Sequence, residues 1–302
     1  IMGSQRVMGY VLTFTAATCW ALTGILGKMS IQDANLSGFE VAFWRAAIGG
    51  AMFAIHALLT GKWRVEPKYA LAFALFGIPG VAGVMGGYMV GVEKIGVSMA
   101  TMLQYTSTGW IAVWGMVFFK ESATIWRIGA VAMAMIGAGM LCWSGGDAVL
   151  GLTAAGVIAS LISGICYSLQ SAFGKKFLTN YSSVSLYMFA MPVGALVMLP
   201  FLLPQTNHLF APFGVPELSF GAKTPMDWFN LIVLAGVTVW GAYWAYMEGV
   251  KRLEITKVGI ICTIEPVMAA MLAFALFGES MTWLGIVGAA FVMGAIFISM
   301  KK

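Results

Sequence analysis

Charge is what this chain has least of. Asp, Glu, Lys and Arg make up only 10% of its 302 residues, against about 25% in soluble domains. The chain is 60% hydrophobic, with a mean hydropathy of +0.89. That composition excludes a water-soluble fold, because a single apolar core stops growing near about 250–300 residues. Histidine is scarce too. His56 and His208 stand alone in the sequence, so no histidine cluster is available for a metal or a general base. The four cysteines, Cys19, Cys142, Cys166 and Cys262, fall inside apolar runs without disulfide or metal spacing, and read as small core residues. No glycine-rich phosphate loop and no nucleophile–base pairing can be made out. Catalysis, a cofactor, a metal and ATP-driven pumping are therefore not expected. The alternation of a membrane β-barrel is absent and the apolar runs are helix-length, so the expected fold is an all-α integral membrane protein. The first run lacks a small-residue cleavage site, so it reads as a span and not as a removable leader.

Ten spans are expected, at about 7–27, 38–59, 70–90, 98–119, 124–143, 152–173, 184–203, 226–247, 258–277 and 283–300. The basic residues test the number. With the N-terminus in the cytoplasm, thirteen of the seventeen Lys and Arg fall on the inner side, and Lys28, Lys94 and Lys223 on the outer side. Arg45 lies within a span. A wrong span count would scramble this asymmetry. The net charge of +5 is thus a topology signal and implies no nucleic-acid partner. The expected location is the cytoplasmic (inner) membrane, with both ends inside.

The chain is one unit written twice. Gly249–Met300 lies over Gly91–Cys142 at an offset of 158 without a gap. Gly249, Phe277, Glu279, Ser280, Thr282 and Met293 then fall on Gly91, Phe119, Glu121, Ser122, Thr124 and Met135. Earlier in each unit the offset is 147, with Cys166, Leu169, Gly174 and Lys175 on Cys19, Leu22, Gly27 and Lys28. The offsets differ by an insertion near 204–225, rich in proline and turn residues, which reads as an outer-surface loop. The expected repeats are 1–147 and 148–302. Five spans per unit, an odd number, make the second unit enter from the opposite side. Such inverted repeats are common in secondary transporters, with the substrate held near the midplane between them.

These features together resemble the drug/metabolite transporter superfamily, in particular its ten-helix EamA-type members. The resemblance is carried by the duplicated five-span unit, Trp20 in span one, Arg45 in span two, and Glu265-Pro266-Val267 followed by Phe277-Gly278-Glu279 in span nine. Phe119-Lys120-Glu121 is the weaker copy in the first half. One departure is that Thr108 stands where the second half has Pro266, so a helix break there is expected on one side only. The resemblance implies a carrier of a small organic solute working by alternating access.

Few ionisable groups lie within spans, where charge is costly and faces the bundle interior. Glu265 sits about seven residues into span nine, roughly 10 Å deep. It reads either as a counter-ion or proton site, or as a helix-breaking Glu-Pro that bonds freed backbone or pairs with Lys257. Arg45 reads as a structural, charge-pairing anchor or as the partner of a substrate carboxylate. Aromatic residues are the richer signal. Trp240, Tyr243, Trp244 and Met247 fall at i, i+3, i+4 and i+7, one helical face. The matching positions in span three, Ala82, Met85, Gly86 and Val90, carry no rings. Trp20, Tyr88, Gln104, Tyr105, Tyr167, Gln170, Tyr243, Trp244 and Glu265 are the candidate substrate-binding set. Trp63, Trp126, Trp143, Trp228 and Trp283, near span ends, fit an interfacial belt instead. Gly129, Gly137 and Gly139 in span five and Gly285, Gly288 and Gly294 in span ten would let those spans pack closely.

Two substrate classes follow. An amino acid or similar zwitterion, moved outward, would stack on the aromatics with Glu265 and Arg45 at its charged ends. Alternatively, a quaternary amine such as choline would be taken up through a cation–π cage of Trp20, Tyr167, Tyr243 and Trp244. A channel would need repeated polar rings, which a one-sided aromatic wall does not supply. The expected partners are a small-molecule substrate, the lipid bilayer and a coupling proton or ion, in a monomer or homodimer.

Overall fold

The structure is a computed structural model that describes residues 2–34, 36, 38–144, 153–203, 223–277 and 281–301. Most of the proline-rich insertion, the repeat boundary at 147/148, His208, and Gly278 and Glu279 lie outside the described residues.

Every described element is a helix. The chain opens with α1 (Met2–Ala34) and α2 (Gly38–Leu59). A third long helix follows in three pieces: α3 (Pro67–Gly77), a π-helical segment (Ile78–Gly83) and α4 (Val84–Ile95). Then come α5 (Val97–Gln104), α6 (Ser107–Phe119), α7 (Ile125–Ser144), α8 (Ala154–Phe177) and α9 (Ser183–Met198). α10 (Pro225–Ala235), a second π-helical segment (Gly236–Gly241) and α11 (Ala242–Arg252) form another three-part helix. The chain closes with α12 (Ile255–Cys262), α13 (Glu265–Phe277) and α14 (Trp283–Lys301). Among the described residues, eight helical stretches are long and apolar enough to cross a membrane. This is a multi-pass membrane protein. Its burial is inverted relative to a soluble fold. Val117, Phe118, Leu196 and Phe274 are exposed, while Ser160, Ser163, Ser168, Gln170 and Ser171 on α8 are fully buried. Lipid takes the apolar surface and the bundle interior takes the polar groups.

The expected one-sided helix break is corrected by the structure: both halves break. α5 stops at Gln104 and α6 restarts at Ser107; α12 stops at Cys262 and α13 restarts at Glu265. Proline is not required, since the first half breaks with Thr108 at the matching position. In each case a threonine turns its hydroxyl back onto the chain: Thr106 Oγ1 donates to Leu103 O at 2.7 Å, and Thr263 Oγ1 to Ile260 O at 2.6 Å. The backbone there tightens to i→i+3 bonds, Thr106 N to Leu103 O and Thr263 N to Ile260 O, both 3.2 Å. Side-chain hydroxyls offer the carbonyls an alternative partner, so the helix can turn. Pro266 sits in the first turn of α13, where its missing N–H costs nothing. The two π-helical segments begin 158 positions apart, the offset of the sequence repeat.

Packing pairs α1 with α11, α2 with α9, α4 with α8 and α7 with α14. The last pair depends on two glycines. A Cβ on Gly137 would lie 2.6 Å from the Gly288 carbonyl oxygen, and one on Gly288 would lie 2.7 Å from that of Gly137. No side chain fits there. Gly137→Leu is expected to lower the thermal unfolding midpoint of the detergent-purified protein sharply, with a cost of about 1–3 kcal/mol or more from overpacking. Gly139→Ala should leave the midpoint unchanged, because a Cβ there meets Met102 only at 3.7 Å.

Candidate functional site

Two π-helical segments and two helix breaks fall around the middle of the bundle, and the polar side chains gather beside them. Gln170 on α8 donates to Gly80 O in the first π segment at 3.1 Å and to the Tyr187 hydroxyl at 2.9 Å. Trp20 on α1 donates its indole N–H to Thr238 O in the second at 3.1 Å. A π turn leaves carbonyls off the regular ladder, and these two side chains satisfy them. Gln104 donates to Ser163 Oγ at 2.8 Å, and Ser163 in turn to Val84 O at 2.7 Å. Gln104 and Gln170 therefore brace the helices around the site.

Aromatic rings form one continuous group. The Trp20 ring lies 5.9 Å from Tyr167, 5.5 Å from Tyr243 and 5.2 Å from Tyr246. Tyr167 and Tyr246 are 5.6 Å apart, and Tyr187 lies 5.3 Å from Tyr243. The contacts are mostly edge-on or tilted, the geometry that ring quadrupoles favour. The Tyr246 hydroxyl pairs with Ser171 Oγ. Tyr187, Tyr246, Ser171 and Thr238 were not in the candidate set. The signal for Tyr246 was its repeat partner, Tyr88; Tyr187 had no sequence signal.

Next to the rings stand two opposite charges. Arg45 on α2 lies within electrostatic range of Glu265, Tyr88 and Tyr243. It forms no ion pair among the described residues, and its Nε is buried without a hydrogen-bond partner. Glu265 opens α13, and the Tyr105 hydroxyl from the opposite break sits against its carboxylate. The Tyr88 hydroxyl bonds Thr101 Oγ1 at 2.8 Å. Glu265, Tyr88, Tyr105 and Tyr167 are surrounded by protein yet keep accessible surface. A guanidinium whose Nε is unbonded and a carboxylate within its electrostatic range can take the two ends of a small dipolar ion.

Two expectations are corrected. Lys257 pairs with Glu254 at 3.4 Å and not with Glu265, because the break at 263–264 separates the two residues along the chain. The stripe Trp240, Tyr243, Trp244 and Met247 is not one face. Tyr243 and Met247 are buried, while Trp240 and Trp244 are 38% and 37% exposed. Residues 243 and 244 stand about 100° apart on a helix, and the edge of the buried face runs between them. Trp244 has no ring partner among the described residues, so eight of the nine candidates gather around the bundle centre and Trp244 does not. Trp63, Trp126, Trp143, Trp228 and Trp283 are all exposed, as a belt requires.

The second cluster joins the two halves of the chain at one end. Glu121 Oε1 accepts from Ile255 N at 2.8 Å, and Oε2 from Thr256 N at 3.4 Å. It thereby caps the start of α12. Arg127 donates to Glu254 at 2.8 Å, and Lys175 donates to Val250 O at 2.9 Å.

Comparison with known proteins decides the family. The pattern described as the EamA-like transporter family matches residues 7–143 and again 154–301. The chain belongs to the EamA-like transporter family. Among relatives, an uncharacterized inner membrane transporter, YicL, of Salmonella typhimurium is 24% identical over 94% of this chain and 93% of its own length. A Streptantibioticus cattleyicolor protein named "Probable terminal-alkyne amino-acid exporter" is 24% identical over 99% of this chain and 94% of its own. A solved crystal structure superposes with a TM-score of 0.80 at 16% identity, covering 97% of this chain and 96% of that one; it shares the fold. This EamA-family protein is thus a multi-pass membrane transporter of the drug/metabolite type.

Proposed function

We propose that this EamA-family protein exports an amino acid or similar zwitterion across the cytoplasmic membrane by alternating access. The observation that carries the reading is the placement of Arg45, its Nε buried and unbonded, within electrostatic range of Glu265, Tyr88 and Tyr243, with Tyr105 beside Glu265. In this reading Arg45 takes the substrate carboxylate, Glu265 its ammonium, and Trp20, Tyr167 and Tyr243 the side chain. Ten spans in two inverted repeats, 1–147 and 148–302, with both ends inside, frame the site. The paired family matches and the π segments 158 positions apart support that frame. The bonds of Glu121 and Arg127 across the halves close one end, which rocking of the halves would open. The name of the Streptantibioticus relative supports the outward direction.

The quaternary-amine reading has less support. Trp20, Tyr167, Tyr243 and Tyr246 already pack on one another, and Trp244 faces outward. Counterflow in proteoliposomes tests the choice. Vesicles preloaded with an unlabelled neutral amino acid are expected to accumulate the labelled one saturably, without competition from choline. Counterflow driven by choline and by no amino acid would sink the proposal. Repeating the assay with a collapsed proton gradient reads out coupling.

A further inference from the structure

A cavity away from Arg45 and Glu265 lies at the end of the bundle where the Lys and Arg excess gathers. It holds about 180 Å³ and opens between the start of α7, the start of α12 and the last turn of α14. Its lining includes Ser122, Thr124, Arg127, Thr256, Lys257 and Ser299, over an apolar floor of Ile260 and Ile298. No carboxylate lines it.

Three of the lining residues carry polar atoms that are buried and unpartnered. Arg127 has a side chain only 10% exposed, and its Nη1 makes no hydrogen bond; the nearest carboxylate oxygen, on Glu121, is 3.8 Å away. Thr256 Oγ1 and Ser299 Oγ are also buried without partners. Thr124 Oγ1 accepts from Arg127 N at 3.3 Å, which leaves its own hydroxyl proton free to donate. A native interior rarely keeps such groups unsatisfied. Among the described residues, the two cations that line the cavity, Arg127 and Lys257, meet two carboxylates, Glu121 and Glu254. Both carboxylates are spent on Arg127, Lys257 and the α12 backbone. Arg252 and Glu248 balance each other nearby. Hydroxyl donors converge beside these cations from three elements.

We propose that this cavity binds a phosphate-type anion, held by Arg127 Nη1, Lys257 Nζ and the hydroxyls of Thr256, Ser299 and Thr124. The chemistry is that of a tetrahedral oxyanion in a fork of charged and hydroxyl donors. A phospholipid headgroup and free inorganic phosphate share it. The position favours the headgroup. The exposed Trp126 lies at the rim, and basic pockets between spans take anionic headgroups at this depth. The bound anion would tie α7 of the first half to α12 and α14 of the second.

Thermal unfolding of the full-length protein in detergent tests the site with three probes. These are inorganic phosphate at constant ionic strength, dihexanoyl phosphatidylglycerol, and dihexanoyl phosphatidylcholine as the zwitterionic control. A ligand of the folded state raises the midpoint by mass action. We expect a saturable rise with phosphatidylglycerol that exceeds the rise with phosphatidylcholine. A rise with phosphate of equal size would assign the site to a soluble anion, and its absence would assign it to lipid; both outcomes keep the anion site. Ser299→Leu fills the cavity without touching an ion pair, and should raise the half-saturating concentration about tenfold, the loss of one good polar contact. Thr256→Val, a near-isosteric change, should do the same to a smaller degree and gives a second reading if Ser299→Leu folds poorly. No rise with either anion, an equal rise with phosphatidylcholine, or a rise undiminished in both variants would overturn the proposal.

Discussion

Lys223→Met is expected to lower the stability of the protein by about 3–5 kcal/mol, the cost of stranding one member of a buried ion pair. Lys223 Nζ lies 2.8 Å from Glu40 Oε1, with the two side chains 5% and 2% exposed. The Trp44 indole donates to the same oxygen at 3.1 Å, and the Lys223 ammonium lies 5.6 Å from the Trp44 ring centre. Removing the ammonium leaves a carboxylate enclosed by rings and apolar side chains, including Phe39 and Phe43 beside it in sequence. The Trp44 indole donates to that carboxylate but carries no charge to neutralise it. Methionine keeps the length and apolar stem of lysine, so the change isolates the charge. Adding Glu40→Gln should restore most of the loss, because a neutral amide can be bonded by Trp44 without an uncompensated charge. Denaturant titration in mixed micelles reads all three proteins. A loss under about 1 kcal/mol in Lys223→Met, the range of an exposed pair, would show that this ion pair does not hold α2 to the start of α10.

Arg45→Met is expected to abolish substrate counterflow while leaving the unfolding midpoint unchanged or higher. The two readings of Arg45 part on this point. An anchor would have its guanidinium bonded to neighbouring helices, and its loss would destabilise the fold. The structure shows a buried Nε without a partner and no ion pair among the described residues. A buried charge without compensation is a cost that a methionine removes, which is the pattern of a group kept for its ligand. Glu265→Gln keeps the size and the Tyr105 contact and removes only the charge. It should weaken substrate affinity by about a hundredfold, the scale for truncating one side of a desolvated charge pair. The same variant should fold normally and bind an uncharged aromatic analogue no worse than the parent. A destabilised Arg45→Met that still transports would make Arg45 an anchor. Undiminished counterflow in Glu265→Gln would remove the carboxylate from the site.

Much of this protein was legible before folding because lipid imposes simple rules. Helix-length apolar runs had to be helices, since backbone groups in hydrocarbon must bond within their own segment. α2 runs over Gly38–Leu59, the span drawn from the sequence at 38–59. Small residues at 137 and 288 announced a close helix contact. Arg45 and Glu265 stood out because so few charges lie within spans. The breaks were only half legible. Proline drew attention to span nine, but a threonine hydroxyl turned onto a carbonyl accompanies both breaks, and threonine is too common to signal that in a sequence.

The sequence by itself determined the membrane-spanning all-α class, the family and the short roster of polar groups at depth, because each depends on local composition and period. Tertiary structure decided which of those groups meet. Helical period assigned Trp244 and Tyr243 to one face, yet only the packing of α11 against α1 and α9 sets where the buried edge runs. Tyr187, with nothing to mark it, joined the ring cluster because α9 crosses α2 and α11 there. Arg127, Thr256 and Ser299, far apart in the chain, surround one cavity only after the halves pack together. Long-range juxtaposition arises from the crossing of whole helices, and no local pattern encodes it.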